Sequence, residues 1–255
     1  MSSSLPISKF YIMGDDHGTQ LPSSVILHVH TQNVSYIVHT GDLAQSAKNA
    51  TTMRLSALKK SFPELDFKVV RGNTDDYHNE NHSLPFTEFF EVGGERLFLH
   101  HGDKTKKWES EEGKKGDIET VNDPLFRKGR SATMSLEKIK EDDAHRRAGV
   151  VAFIEREHRT AMASGWVREG DYIISGHSHT EHYMLDKSAG VTYLTPDGMQ
   201  NNSFRPSKSQ ASFVSWIEGG EGGVVERVKW DKEGRLKQPL EVVGRSFVST
   251  FRRRG

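Results

Sequence analysis

Three short apolar runs at the start of the chain each end in a loop that carries carboxylate or amide groups. The pairs of run and loop are KFYIM with GDDHGT, YIVH with TGDLA, and FKVV with RGNTDDYH. Helices are predicted after the first two loops, at about 22–32 and 46–61, the second with Met53, Leu55 and Leu58 on its apolar face. Strands and helices that alternate at this length predict βαβ units and a parallel sheet.

From Phe89 onwards this pattern changes. EFFEV and RLFLH, on either side of a Gly-Gly turn, predict a β-hairpin. The stretch of about 104–146 is polar and charged, which indicates an insertion, and an amphipathic helix is expected over 150–167. Short strands then follow: YIIS, HYMLD, VTYLT, SFVSWIE and VVERVKW, with GGEGG as a turn. We interpret the chain as a single domain, 1–255, that carries this insertion.

The charge balance and the absence of cysteine narrow the classes of function. Lys plus Arg and Asp plus Glu both number 35, so no net field attracts nucleic acid or an acidic membrane. Cysteine is absent, which removes disulfides and thiolate metal sites. The sequence has neither a secretory signal pattern nor an apolar run of about 18 residues, so we expect a cytoplasmic protein without a membrane segment.

Side chains that suit metal binding follow five of the predicted strands. In open α/β sheets, ligands bind beyond the carboxyl ends of the strands, where such loops meet. At any single position, such as Asp42 or Asn73, a turn-forming role is the commoner explanation. Several carboxylates that converge repel one another, however, and a divalent cation removes that repulsion. The residues concerned are Asp15, Asp16, His17, Asp42, Asn73, Asp75, Asp76, His100, His101, Asp103, His177 and His179.

These side chains offer oxygen and nitrogen ligands without sulfur. Such a set suits Mn, Fe, Zn or Mg-like ions, and imidazole favours the transition metals. The number of ligands indicates two ions bridged by one carboxylate, and water held between ions about 3.5–4 Å apart becomes a nucleophile near neutral pH. Residues two apart in an extended loop face the same side, so Asp15 with His17, and His177 with His179, can both point inward. The sequence therefore predicts hydrolysis of phosphate esters.

The ordered series GDDHG, TGD, RGNTD, HHGD and SGHSH resembles the blocks DxH, GD, GN, H and GHxH of the calcineurin-like metallophosphoesterases. It is most similar to the small phosphodiesterase branch, which includes the retromer subunit of this fold. The blocks span 13–198, about three quarters of the chain. The resemblance implies an α/β (α+β) fold, a four-layer αββα sandwich in which two mixed sheets are flanked by helices.

The resemblance also implies a binuclear metal centre with Asp42 as the bridge. Mn²⁺ is the preferred ion, with Fe, Zn, Ni, Co and Mg as alternatives. A metal-bridging hydroxide would attack phosphorus in line without a covalent intermediate. By this resemblance, one ion would be held by Asp15, His17, Asp42 and His179, and the other by Asp42, Asn73, His101 and His177.

Two positions depart from the family pattern. Many members carry a histidine as proton donor directly after the Gly-Asn pair, and this chain has Thr74 there. Asp75 or His78 is the candidate general acid in its place, although a loop aspartate is more often a turn residue. Asp103 stands where much of the branch has a second histidine, and we interpret it as a residue that orients a ligand.

The leading hypothesis is a phosphodiesterase acting on a small phosphate ester or a nucleotide, with Asp42, Asn73, Asp75 and His78 as the candidate catalytic residues. A binding scaffold with a protein partner and no turnover is the alternative from another class. Hydrolysis of a nucleotide-lipid pyrophosphate is a third, suggested by the HGD form of the fourth block. Activity is expected to fall at acid pH because imidazoles take up protons and release metal.

Some features are predicted to have no part in the metal site. His39 and His100 are expected to be packed or hydrogen-bonded, because each should point away from the ligands. The basic clusters of the insertion are interpreted as a solvated loop rather than as a lid, since acidic residues nearly balance them.

Overall fold

A computed structural model provides the three-dimensional structure of the chain. It describes residues 7–44, 50–75, 84–92, 95–102, 162–163, 165, 167–177, 182–186, 190–196, 210–217, 223–231, 233–237 and 241–245. No helix within these ranges is long and apolar enough to cross a membrane. The predicted insertion at about 104–146 and most of the helix predicted over 150–167 lie outside them.

Eleven strands and two helices are defined within the described ranges. The helices are α1 (Ser23–Thr31) and α2 (Ala50–Ser61). The strands are β1 (Ile7–Met13), β2 (Tyr36–His39), β3 (Asp66–Val69), β4 (Thr87–Val92), β5 (Glu95–His100), β6 (Tyr172–Ile174), β7 (His182–Asp186), β8 (Val191–Thr195), β9 (Gln210–Ile217), β10 (Gly223–Lys229) and β11 (Glu241–Arg245).

The strands form two mixed sheets. The first sheet has the order β11-β10-β9-β1-β2-β3, in which β1, β2 and β3 are parallel and β9, β10 and β11 are antiparallel. The second has the order β4-β5-β6-β8-β7, with β5, β6 and β8 parallel. Met13 pairs with His39, and His39 with Val69, so the three parallel strands of the first sheet end level with one another.

Successive side chains of β1 point to opposite faces of the sheet and therefore pack in two different cores. Tyr11 and Met13 face the helices and pack in a helix-side core that includes Val25 and Val29 of α1 and Leu58 of α2. Phe10 and Ile12 point the other way, into an inter-sheet core with Val38, Leu99 and Ile174. A strand that is buried on both faces has an unbroken apolar sequence, which explains the run FYIM.

The outer face of the second sheet is also buried. Phe98, Ile173 and Tyr193 alternate with residues of the inter-sheet core, and each is 0% exposed. This burial agrees with the flanking layer that an αββα sandwich has on this face. Helices, two mixed sheets and this covered outer face confirm the predicted fold class.

Most predicted elements lie within two residues of the observed ones, and two differences are informative. Met53 is 69% exposed, so its placement on the apolar face of α2 is wrong. The buried face of the helix follows Thr51, Leu55 and Leu58 at intervals of four and three residues, and Met53 points away from it. Strand β11 was not predicted, and the single-domain organisation with its insertion stays a prediction.

Candidate metal centre

Five loops meet where the parallel strands of both sheets end. Backbone hydrogen bonds join them: the N–H of Asp15 donates to the carbonyl of Gly41 at 3.0 Å, and the N–H of Gly176 donates to the carbonyl of His101 at 3.1 Å. The N–H of His177 donates to Oδ2 of Asp15 at 2.9 Å and so links the loops of the two sheets. The side chains of these loops therefore occupy a common edge, as the strand-end argument predicts.

Four residues of this edge have the left-handed backbone conformation that L-amino acids rarely adopt. Their φ angles are 50° at Asp15, 45° at His17, 56° at Asp42 and 66° at His177; among the described non-glycine residues only Asn33 shares the conformation. Each such residue costs on the order of 1–3 kcal/mol and persists where the surroundings enforce it, commonly at functional sites. All four are predicted metal ligands, so the strain is concentrated where function was expected.

Glycine allows the loops to approach one another closely. A Cβ atom on Gly72 would lie 2.1 Å from Oδ1 of Asp42, and one on Gly176 would lie 2.8 Å from Oδ2 of Asp15 and 2.4 Å from Oγ1 of Thr40. Contacts this short do not occur, so any side chain at these positions would displace Asp42 or Asp15. The glycines of RGN and SGH are therefore required by the geometry of the site.

The first group of potential ligands comprises Asp15, His17 and Asp42. One ligand atom from each lies within 4.8 Å of the others, and the three residues come from the loops after β1 and β2. Nε2 of His17 is 3.7 Å from Oδ2 of Asp42. Two carboxylates and an imidazole at this separation are a suitable donor set for a divalent transition-metal ion.

The second group brings together nitrogen and oxygen lone pairs from both sheets. Nε2 of His101 is 3.1 Å from Oδ1 of Asn73 and 3.2 Å from Nδ1 of His177, and Nδ1 of His177 is 3.0 Å from Oδ1 of Asn73. Oδ1 of Asp42 lies 3.6 Å from Nε2 of His101. Ligand atoms about 3 Å apart match neighbouring positions around an ion with metal–ligand distances of about 2.0–2.2 Å.

The protonation of His101 supports this interpretation. Its Nδ1 lies 2.7 Å from the carbonyl oxygen of Thr40 and must carry the proton, because a carbonyl only accepts hydrogen bonds. In the neutral ring Nε2 is then a lone-pair donor directed at Asn73, His177 and Asp42. Metal-binding histidines are commonly fixed in this way by a carbonyl or carboxylate on the other nitrogen.

Burial shifts the pKa values of the site. Burial raises the pKa of Asp15 to about 7, with His101 opposing the shift and Asp42 adding to it. Burial, followed by His101, lowers the pKa of His177 to about 3, and burial also lowers the pKa of His17 against the pull of Asp42. Before a cation binds, Asp15 therefore takes up a proton at higher pH than His177. The loss of activity at acid pH stays a prediction, and Asp15 is a further group whose protonation would release metal.

The bridging candidate, Asp42, keeps its charge by local contacts. Burial alone would raise the pKa of Asp42, but His101 and the N–H of Thr74 bring it below its ordinary value. That N–H donates to Oδ1 of Asp42 at 2.8 Å. One carboxylate oxygen of Asp42 faces His17 and the other faces His101, so this side chain lies between the two groups of ligands.

Asp75 has a different environment from the one a general acid needs. It is 2% exposed, and its Oδ2 accepts hydrogen bonds from the N–H groups of Asp42 at 2.8 Å and Gly72 at 2.9 Å. Its Oδ1 accepts from the N–H of Leu43 at 3.1 Å and the hydroxyl of Thr51 at 2.8 Å. Four donors around one buried carboxylate indicate that Asp75 holds the loops of Asp42 and Gly72 together.

The remaining predicted residues divide into those that pack elsewhere and those outside the described ranges. His100 is 2% exposed and stacks on Phe98 with ring centroids 5.1 Å apart, and Nδ1 of the buried His39 accepts a hydrogen bond from the N–H of Gly41 at 3.1 Å. Both therefore point away from the ligands, as predicted. His179, His78, Asp76 and Asp103 lie outside the described residues.

Sequence reasoning missed two residues of α2 that reach the site loops. Thr51 contacts Asp75, and Arg54 forms an ion pair with Asp16 with an NH2–Oδ2 distance of 2.8 Å. They are three positions apart and therefore lie on one face of the helix. Their polarity next to the buried Leu58 is the only signal in the sequence, and it does not identify their partners.

Comparison with known proteins agrees with this geometry. The sequence matches the family model for the calcineurin-like phosphoesterase superfamily domain over residues 9–214, and none of the curated proteins matches it. Vacuolar protein sorting 29 of Cryptosporidium parvum has a similar structure, with 14% identity and a TM-score of 0.54 over 92% of this chain and 97% of that chain. Vps29 of Chaetomium thermophilum has 13% identity and a TM-score of 0.53, and the match covers 94% of this chain and 97% of that chain.

A third similar structure is wild-type Vps29 of Entamoeba histolytica complexed with Zn²⁺. It has 14% identity and a TM-score of 0.52 over 92% of this chain and 99% of that chain. At these identities the structural similarity establishes the fold and nothing finer. Since the family model covers well over half of the chain and every described loop of the site, the chain belongs to the calcineurin-like phosphoesterase superfamily.

Proposed function

We propose that the chain is a binuclear metal-dependent phosphoesterase that prefers phosphodiester or nucleotide-like substrates. The observation that carries the proposal is the position of Asp42, whose two carboxylate oxygens face separate groups of ligands 3.7 and 3.6 Å away. The close approach of His101 and His177 supports it, because two imidazole nitrogens 3.2 Å apart are suitably placed to bind one cation together.

In the proposed centre, Asp42 bridges two ions. The first would be held with Asp15, His17 and His179, and the second with Asn73, His101 and His177. Mn²⁺ is the preferred ion, with Fe, Zn, Ni, Co and Mg as alternatives, since the ligands are oxygen and nitrogen. The Zn²⁺ complex of the Entamoeba protein is compatible with such a set in this fold.

The residues of the chain would have distinct tasks in the reaction. Two bound divalent ions supply a hydroxide nucleophile and the positive charge that stabilises an in-line displacement at phosphorus. Asp15 must lose its proton when it binds metal, so its raised pKa should weaken metal binding progressively below about pH 7. The N–H of Thr74 keeps Asp42 in its bridging orientation.

Proton donation to the leaving group is assigned to His78 rather than to Asp75. The side chain of Asp75 is occupied by four donors and would have to break these contacts to act on a substrate. The hydroxyl of Thr74 donates to the carbonyl of Ala44 at 2.9 Å and is likewise engaged within the protein. A weak proton donor favours diesters with good leaving groups over monoesters.

Metal content and hydrolysis of bis-p-nitrophenyl phosphate test this proposal together. Wild-type protein should bind about two divalent ions per chain, and Asp42→Ala should lower kcat/KM by more than about 100-fold, because it removes a ligand of both ions. Glu88→Gln is the matched control, since Glu88 pairs with Lys68 outside the site. Full activity of Asp42→Ala, or wild-type protein that binds no metal, would reject the proposal.

A binding scaffold without turnover is the second candidate. The observation that favours it is Thr74, which stands where many members have a histidine and whose hydroxyl donates to Ala44. A scaffold of this kind would bind the two ions and leave phosphomonoesters, phosphodiesters, cyclic nucleotides and nucleotide-lipid pyrophosphates intact. Turnover of any of these by wild-type protein, lost in Asp42→Ala, would exclude it.

A further inference from the structure

We propose that Arg54 of α2 is a positioning residue that holds the Asp15–His17 segment in its ligand geometry through the carboxylate of Asp16. The inference rests on the proposed function, because it concerns the residues that would hold the first ion. Within the described part of the chain, Arg54 forms its hydrogen bonds with Asp16 and Thr19 and with none of the proposed ligands. It acts on the residue between two of them.

The contact between Arg54 and Asp16 is buried and directional. Nε of Arg54 donates to Oδ2 of Asp16 at 2.8 Å, and its NH2 group is 2.8 Å from the same oxygen. The NH2 group also donates to the carbonyl of Thr19. The side chains of Arg54 and Asp16 are 9% and 0% exposed. One guanidinium therefore connects the helix to both ends of the segment from Asp16 to Thr19.

Within the Asp15–His17 segment, Asp16 is the residue whose side chain contacts α2. Asp15 and His17 on either side have φ angles of 50° and 45°, and their side chains approach Asp42. Asp16 instead faces α2 and His39, with Nε2 of His39 3.5 Å from its Oδ2. Because Nδ1 of His39 accepts the N–H of Gly41, a neutral His39 carries its proton on Nε2, which lies near Asp16 without a hydrogen bond to it.

Loss of the guanidinium would leave a buried carboxylate without its main counter-charge. A buried charge deprived of its partner is strongly unfavourable, so Asp16 would turn towards water or draw water in. Either movement rotates the backbone on both sides of Asp16 and displaces Asp15 and His17. Asn73 and His101 are held by other loops, and the ring of His177 contacts both of them, so the second group of ligands should keep most of its geometry although the N–H of His177 donates to Asp15. The predicted consequence is selective weakening of one metal site.

Metal titration of the full-length protein tests this selectivity. Wild type and Arg54→Met are titrated with Mn²⁺ by calorimetry and by electron paramagnetic resonance, with circular dichroism to verify folding. We expect Arg54→Met to keep one site at wild-type affinity and to bind the other ion about 10- to 100-fold more weakly, the usual effect of removing a residue that orients a metal ligand. Arg54→Lys should be intermediate, because it keeps the charge and loses the planar fork.

Controls separate positioning from a general loss of stability. Lys68→Met removes a cation of a surface pair and should leave both sites unchanged. Adding Asp16→Asn to Arg54→Met should restore part of the weakened affinity, because the unpaired charge is gone; a variant that merely folds poorly would not be rescued. Two unchanged sites in a folded Arg54→Met, or two sites weakened equally, would overturn the proposal.

Hydrogen exchange of the metal-free protein distinguishes this inference from the proposed function. Arg54→Met should accelerate exchange of the N–H groups in 15–19 and of the N–H of His177, which donates to Asp15, and leave 172–176 unchanged. If wild type binds no metal, the proposed function fails, whereas this measurement still tests whether Arg54 holds the segment. Identical exchange in both proteins would overturn the positioning role whatever the metal content.

Discussion

Asp75→Asn is the substitution that most directly tests how the metal edge is assembled. The change keeps the size of the side chain, removes its charge and replaces one oxygen by an NH2 group. Oδ2 of Asp75 receives two N–H groups, from Asp42 and Gly72, so the one oxygen that the substituted side chain retains should stay on that side. The new NH2 group then faces the N–H of Leu43 and the hydroxyl of Thr51.

The size of the effect follows from these contacts. The hydroxyl of Thr51 can rotate and accept a hydrogen bond, but the N–H of Leu43 keeps only its longer contact, 3.4 Å, with the retained oxygen, which costs about 1 kcal/mol for a buried group. The bonds from Asp42 and Gly72 lose the assistance of a charge, which roughly halves their strength. Together these losses amount to about 3 kcal/mol. At about 2–4 °C per kcal/mol for a chain of this size, Tm should fall by about 6–12 °C.

Thermal unfolding followed by circular dichroism in the presence of a chelator measures this effect without a contribution from metal. Thr51→Val is the matched control: it removes one donor and leaves Asp75 with three N–H groups, so Tm should fall by only a few degrees. A Tm for Asp75→Asn within about 1 °C of wild type would refute the holding role. If turnover were lost with Tm unchanged, Asp75 would have to be reconsidered as the general acid.

Three further predictions concern other parts of the structure. Gly72→Ala should abolish binding of both ions, because its Cβ would lie 2.1 Å from Oδ1 of Asp42; wild-type metal stoichiometry would contradict this. Metal binding should release about one proton at pH 6 and almost none at pH 8, because the pKa of Asp15 is raised to about 7 and metal displaces its proton. Calorimetry in buffers of different ionisation enthalpy measures the number of protons released. Equal release at both pH values would refute the prediction. Tyr11→Phe should leave the free energy of unfolding unchanged or raise it by about 1 kcal/mol, because the Tyr11 hydroxyl is buried without a hydrogen-bond partner in the described structure. A decrease in the free energy of unfolding of more than about 1 kcal/mol, measured by urea denaturation, would contradict this.

The pKa of Asp15 also affects stability when no metal is bound. The folded-state pKa of about 7 exceeds the ordinary value of 3.8, so the folded protein holds this proton more tightly than the unfolded chain. The contribution of Asp15 to stability is therefore complete below about pH 4 and is lost as the pH rises through about 7. Bound metal reverses this trend, because it stabilises the ionised carboxylate.

The local sequence pattern was sufficient for every described strand except β11 and for the edge at which the site lies. The run FYIM is apolar on both faces, and strands β1, β2 and β3 follow directly from such runs. Parallel strands end at a common edge, so the loops with Asp15, Asp42 and Asn73 had to be neighbours. These conclusions need only the period of the side chains and the direction of the strands, both of which are local properties.

The tertiary structure alone decided which side chains of that edge face a cation and which hold the loops in place. Asp15, Asp16 and Asp75 are the same kind of residue in the same kind of loop, yet Asp15 approaches His17 and Asp42, Asp16 is paired with Arg54, and Asp75 accepts four hydrogen bonds. Their partners come from α2 and from distant loops, and no spacing within a motif encodes those contacts. A carboxylate in a loop has no preferred task of its own, because its role depends on the donors that packing places around it.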